Sequence, residues 1–353
     1  MKTRPPANSS ETQSTFDAIV GHDLLKRFVV RAADAGRLLH SFLLHGPPKV
    51  GKTSFAYALA KYVNCRKRPR SMGECDCAMC GKIARGTLID LGVLGPRGAG
   101  GQLQVDDLRE QMERAVCAPL EAEKRILLIA PADRMNPSSA NALLKLLEEP
   151  PSRLLLVLVT DKPYALLPTV RSRCAQLRFG SVEEKALRPL LLARGASEEE
   201  TTSAILLSGG APGRALELIQ SAKSGRREAM AEEMAFFRRE GFAGLFRVAH
   251  RLAALGRESA AESGGATKGL EEILAILALW QRDLLIRAVD GPDSALIVNR
   301  DLPTQLSEAG ADSSVAELHE GLENILWGFG YTGRVINEPL VMENLLLRLG
   351  KKH

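Results

Sequence analysis

The chain has 353 residues, of which 45% are apolar and 25% charged. At about 150 residues per domain this gives two or three folded domains and excludes both a lone small module and a disordered chain. The net charge of +5 permits a polyanionic partner without requiring one. Aromatic residues are only 5%, which argues against a surface that stacks single-stranded bases.

The first seventeen residues, MKTRPPANSSETQSTFD, are polar and lack the apolar core of a signal peptide, so residues 1–15 are expected to be a loose tail and the protein cytoplasmic. No apolar run reaches the ~18 residues of a membrane helix, so no membrane partner is expected. From Phe16 to about Phe179, short apolar runs alternate with amphipathic stretches, the pattern of a parallel sheet flanked by helices. Four runs read as strands: Ser41–His45, Arg125–Ala130, Leu154–Thr160 and Ala175–Phe179.

Between the first strand and the helix that follows lies Gly46-Pro47-Pro48-Lys49-Val50-Gly51-Lys52-Thr53, a G-x-x-x-x-G-K-[ST] phosphate loop in its proper context. Gly46 and Gly51 free the backbone to cradle phosphate oxygens, Lys52 would reach the terminal phosphates, and Thr53 would help hold magnesium. An empty relic loop is the plainer alternative.

Cys65, Cys75, Cys77 and Cys80 follow in a polar, basic stretch with Arg66, Lys67, Arg68 and Arg70. Four thiolates suffice to close a tetrahedral Zn²⁺ site with no position left for catalysis, so a structural zinc module over 65–80 is expected. Buried free thiols are the alternative. The one-residue gap in Cys75-Asp76-Cys77 is narrower than usual for such sites, so local strain is expected. Cys117 and Cys174 read as ordinary buried residues.

An ATPase needs an acidic residue at the end of the strand beside the loop. Here Ile126–Ile129 is followed by Ala130-Pro131, Asp133 falls beyond the strand end, and Asp90 sits in the short segment Leu88–Leu91. Neither restores the register. Loss of a general base alone costs about 10²- to 10⁴-fold in rate, so little or no hydrolysis by this chain is expected. Glu148 and Glu149 end a helix stopped by Pro150-Pro151, where negative charge opposes the dipole at roughly 0.3–1 kcal/mol each; a role in contacts and plain solvation are equally consistent with that placement.

Three helical patterns run from Ser181 to Ser221, interrupted at Arg194-Gly195 and at Gly209-Gly210-Ala211-Pro212-Gly213. Beyond Lys223 only helical periodicity remains, broken by the Gly/Ser/Ala-rich stretch 256–268 and a loop near Gly291. The expected fold class is therefore an α/β P-loop domain, a parallel sheet with flanking helices, over 16–179 with an inserted zinc module. A small helical lid (180–222) and an all-α C-terminal domain (223–353) follow.

Ala132-Asp133-Arg134-Met135-Asn136, then Ala140 to Pro151, then Leu167-Pro168-Thr169-Val170-Arg171-Ser172-Arg173-Cys174, in that order and spacing, resemble bacterial clamp-loader subunits of the AAA+ class. The likeness covers most of residues 16–222; beyond them only the helical character is shared. Within the class the chain is most similar to the delta-prime branch of the DNA polymerase III clamp loaders, in which degraded ATPase motifs accompany an intact Ser-Arg-Cys element, and Ala130-Pro131 fits that pattern.

The resemblance implies a stator that does not itself turn over ATP, in a hetero-oligomer with gamma/tau and delta subunits formed through the C-terminal collar. It implies contact with the sliding clamp and primer-template DNA through that complex. It assigns Arg173 as an arginine finger acting in trans on the nucleotide of a neighbouring gamma/tau subunit, and gives Thr160 and Arg214 the two nucleotide-sensor positions. The alternative within the class is an ATP-hydrolysing gamma/tau-type motor; outside it, an unrelated zinc-containing P-loop protein.

Overall fold

The computed structural model describes residues 15–67, 70, 72–95, 103, 105–223, 225–263, 268–294, 296–311, 313–332 and 337–350. The expected tail to residue 14, Arg68 and positions 264–267 of the Gly/Ser/Ala-rich stretch lie outside them; residues 256–263 of that stretch, expected to break the helical pattern, continue a helix instead. The chain forms two compact units, Met1–Glu198 with Ile205–Leu216, and Glu199–Ala204 with Glu217–His353.

The first unit runs α1 (Asp23–Asp34), β1 (Ser41–His45), α2 (Lys52–Asn64), α3 (Ala78–Ala84), β2 (Leu91–Leu94), α4 (Val105–Val116), β3 (Arg125–Ile129), α5 (Pro137–Glu148), β4 (Leu154–Thr160), α6 (Pro168–Arg171), β5 (Ala175–Arg178). The five strands are parallel in the order β2-β3-β4-β1-β5. Every residue of β3 and β4 is buried, as required of central strands covered by helices on both faces. Period-two alternation sorts their side chains between two cores. Leu155, Val157 and Val159 join Phe55 and Leu59 of α2, whereas Leu154, Leu156 and Leu158 join Leu143, Leu146 and Leu147 of α5.

β2 is a fifth strand beyond the four expected. Its four residues include Gly92 and lie at the sheet edge, too short and too weak in β propensity to stand out as a strand. A Cβ at Gly92 would come 2.3 Å from Gln111 Oε1 on α4, the movable end of a flexible side chain.

Asp90, set aside above as a metal-organising acid, is structural. Fully buried, it accepts hydrogen bonds from the backbone N–H groups of Leu120, Glu121 and Ala122 at 3.0, 2.8 and 2.9 Å and from Arg125 Nη2 at 2.7 Å, tying the turn before β3 to the start of β2. Burial works to raise its pKa, but the three N–H groups and the guanidinium outweigh it and hold the carboxyl below the ordinary value of 3.8.

The three helices expected after the sheet are α7 (Glu184–Ala193), α8 (Glu198–Ser208) and α9 (Pro212–Lys223), and their residues divide between the two units. In the second unit α10 (Arg226–Glu240), α11 (Leu245–Ser263), α12 (Lys268–Asp290), α13 (Pro303–Gly310), α14 (Val315–Gly328) and α15 (Glu338–Leu349) enclose a core around Val248, Leu252, Ile273, Leu277, Trp280 and Met342. A Cβ at Gly269 would lie 2.2 Å from the Gly256 carbonyl oxygen, so the α11–α12 crossing depends on glycine. No helix among the described residues is long and apolar enough to cross a membrane.

Replacing Asp90 by Asn strands the buried Arg125 charge and is expected to cost about 3 kcal/mol in denaturant unfolding. The linkage has a definite sign. A depressed folded pKa stabilises fully above the unfolded value and loses that contribution as pH falls through the folded one, so the native chain should weaken below about pH 4 more steeply than Asp90→Asn.

Candidate functional site: the phosphate loop, the arginine edge and the cysteine cluster

The parallel register sets His45 beside Thr160 and Arg178 at the strand ends. The chain leaves β1 for the far edge and returns through β4 on one side and β5 on the other, a reversal of strand order that opens a crevice at the carboxyl ends of the strands. The loop Gly46–Thr53 stands there. Gly46 has φ 141°, and a Cβ on it would lie 2.2 Å from the Phe179 carbonyl oxygen. Gly51, φ 96°, turns the chain into α2, whereas Lys49 adopts φ 62°, a left-handed conformation that costs a residue bearing a side chain.

The loop is tied down through its own carbonyls. Lys49 O accepts the Gly213 N–H at 2.9 Å, fastening the loop to the first turn of α9, where Arg214 is exposed. Val50 O lies 3.1 Å from His22 Nε2, and burial lowers the His22 pKa, assisted by the Lys26 and Lys52 charges. Lys52 is 4% exposed. Its ammonium donates to Gly46 O at 2.9 Å and to Pro47 O and pairs with Asp161 Oδ1 at 2.6 Å, which satisfies a buried cation. Thr53 is half-buried in the first turn of α2.

β3 ends without a carboxylate, as its sequence implies. Asp133, on the turn Ala132–Arg134, accepts the Thr160 hydroxyl at 2.5 Å, and Thr160 Oγ1 in turn accepts the Lys162 N–H at 3.0 Å. The fold therefore joins the sensor-position threonine to an acid the sequence had set aside. Asp161 was missed altogether. Its signal was position, the residue after Thr160 at the end of the strand that pairs with β1.

Arg173 lies at the other end of the sheet. Its backbone carbonyl accepts the Ser41 hydroxyl at 2.9 Å, and Ser41 opens β1 while the loop follows its last residue. Five strand residues separate the two ends by roughly 16 Å. The guanidinium pairs with Glu148 Oε1 at 2.8 Å through Nη2 and donates to Thr169 O at 3.1 Å through Nη1, with 38% of the side chain exposed. Glu148, left open above, thus has a partner, and Glu149 is the C-terminal cap of α5. Arg171 stacks over the exposed Tyr164 ring at 4.8 Å. Cys174 is buried, as expected, and burial pushes its thiol up to about 11 against the opposing Ser41 hydroxyl, whereas Cys117, expected to be buried with it, is exposed after the end of α4.

The sulfurs of Cys65, Cys75, Cys77 and Cys80 all lie within 4.8 Å of one another, with Cys65 and Cys75 Sγ at 3.7 Å. Cys65 closes α2, Cys77 is the N-cap of α3, and Cys80 falls in that helix's first turn. The tight Cys75–Cys77 spacing needs no strain, because Cys77 has ordinary extended backbone, φ −63° and ψ 151°. Although burial opposes it, N–H groups of Arg66 and Cys80 pull the Cys77 thiol down to about 6; burial pushes Cys75 and Cys80 up. The set could hold a metal ion: metal–sulfur bonds of about 2.3 Å in a tetrahedron place sulfurs about 3.8 Å apart.

Residues 21–183 match the family model described as DNA polymerase III, delta subunit. The delta-prime subunit of Pseudomonas aeruginosa is 36% identical over 177 residues, 49% of this chain and 53% of that protein. That of Escherichia coli is 32% identical over 211 residues, 59% and 63% of the two chains. The gamma/tau subunit of Mycobacterium tuberculosis is 36% identical over 181 residues, 50% of this chain and 31% of that protein, so the matched segment spans less than two thirds of each of these relatives.

The two loop glycines are expected to respond unequally to alanine. Gly46→Ala, which meets backbone, should cost about 2 kcal/mol or more, and Gly51→Ala, with open space around the added carbon, only the ~1 kcal/mol of its positive φ. Thermal unfolding of the two variants checks the order.

Proposed function

We propose that this chain is a delta-prime-type stator of a bacterial DNA polymerase III clamp loader, helping to load the sliding clamp onto primer-template DNA alongside gamma/tau and delta subunits. One observation carries the reading: Arg173 stands at the opposite end of β1 from the chain's own phosphate loop. An arginine side chain does not span that distance, so the nucleotide it can serve belongs to a neighbour. Ala130-Pro131 at the end of β3 supports the same division of labour, because hydrolysis at this chain's own loop lacks its acid. Asp161 would compete with a nucleotide phosphate for Lys52, so Gly46, Gly51, Lys52, Thr53, Thr160 and Arg214 form at most a weak ATP/Mg²⁺ site.

A gamma/tau-type motor is the second reading, favoured by the complete G-x-x-x-x-G-K-[ST] motif and by Asp133 and Asp161 at the crevice. Steady-state ATP hydrolysis by the purified chain separates the two: turnover near background supports the stator, and clear DNA-stimulated turnover by the chain alone overturns it.

Arg173→Ala should leave folding and complex assembly intact, because a partly exposed ion pair contributes only about 0–1 kcal/mol. It should lower DNA-stimulated hydrolysis by the reconstituted complex. A finger is worth about 10³- to 10⁵-fold at the site it serves, so with several ATP sites the loss in turnover should be partial. Unchanged hydrolysis and clamp loading would reject the finger.

The cysteine cluster is read as a structural zinc site, four thiolates filling the coordination sphere. Elemental analysis of protein purified under reducing, chelator-free conditions should give about one zinc per chain, and well under half an equivalent would refute it. Chelation should raise hydrogen exchange in the segment around Cys65–Cys80 while leaving β3 and β4 protected.

A further inference from the structure

We infer that Glu148 is the positioning residue of Arg173, holding its guanidinium in the orientation in which it meets a neighbour's phosphates; the inference rests on the finger reading above. Glu148 is the last residue of α5, where a carboxylate faces the negative end of the helix dipole and is disfavoured. Pro150-Pro151 prevents the helix from continuing past it. The carboxylate instead reaches across to the segment between α6 and β5, pairing with Arg173 Nη2 at 2.8 Å.

Thr169 O holds Nη1 at 3.1 Å from the other side, and the Ser41 hydroxyl fixes the Arg173 backbone at 2.9 Å. Two anchors, on α5 and α6, therefore hold the side chain, and a third, on β1, holds its backbone. Two of them take one Nη each and leave the rest of the donor fork to an incoming anion. Half of the Glu148 side chain is exposed, and ion pairs so placed add little to stability. What this pair supplies is restriction of a long, rotamer-rich side chain, which otherwise loses that freedom only when the neighbour's phosphates bind.

The test uses the reconstituted clamp-loader complex carrying Glu148→Ala, Glu148→Gln, Arg173→Ala, the double variant Glu148→Ala/Arg173→Ala, or Glu149→Ala. Assembly by size exclusion is followed by kcat and KM for DNA-stimulated ATP hydrolysis. Glu148→Ala should assemble normally, keep KM for ATP within about twofold, and lose kcat at the served site by about 10- to 100-fold. It should thereby reproduce most of the Arg173→Ala deficit. Glu148→Gln, which retains reach and an acceptor, should fall between wild type and Glu148→Ala; Glu149→Ala should match wild type; and the double variant should be no worse than Arg173→Ala.

A Glu148→Ala complex with wild-type kcat beside an impaired Arg173→Ala complex overturns this inference alone. So does a double variant markedly worse than Arg173→Ala, or loss of assembly on Glu148→Ala, which would make the residue structural. An Arg173→Ala complex with wild-type kcat overturns the finger reading beneath it.

Discussion

Parallel pairing of β1 with β4 on one side and β5 on the other is the constraint from which the functional geometry follows. A parallel sheet sends every strand's carboxyl end the same way, so the loop after β1, Thr160 and Asp161 after β4, and the turn holding Asp133 after β3 gather along one edge. The same rule sends the Ser-Arg-Cys segment, which precedes β5, to the opposite edge beside Ser41. One sheet thus presents a phosphate loop on one edge and an arginine on the other.

Charge satisfaction shapes both edges. Lys52 is a buried cation, and Asp161 with two loop carbonyls answers it; nothing further is needed for the loop to be well formed. On the opposite edge Arg173 is only partly buried, and Glu148 answers it at little gain in stability. The first arrangement is what burial demands of an ammonium group. The second is not demanded by burial, and its physical consequence is orientation. A third carboxylate, Asp90, shows the purely architectural use of the same chemistry, with three backbone N–H groups and Arg125 saturating it inside the sheet edge.

The cysteine segment follows a different logic. It joins α2 to α3 by a connection with few large apolar side chains of its own, and four sulfurs within 4.8 Å offer the cross-link that such a segment otherwise lacks. The closeness of Cys75 to Cys77 in sequence is accommodated because Cys77 is an N-cap, whose extended backbone lets its sulfur turn toward Cys65 and Cys80.

Much of this was legible from the residues alone. Three of the five strands are built on apolar runs and β5 alternates apolar with polar residues, the G-x-x-x-x-G-K-[ST] spacing needs only local backbone geometry, and clustered cysteines declare themselves by proximity in the chain. The absence of an acid at Ala130-Pro131 is likewise a local fact. Long-range pairing is not local, and the tertiary structure alone decided what depended on it. β2 emerged only because β3 pairs with it. Asp90, set aside on the sequence, became an anchor once the turn at Leu120–Ala122 folded over it. Asp161 met Lys52, Asp133 met Thr160, and Glu148 met Arg173 across 109, 27 and 25 positions of chain, because helices and crossover connections between parallel strands bring distant residues into one plane. Periodicity records which face of an element is buried; which charged side chains share an edge is settled only when the sheet closes.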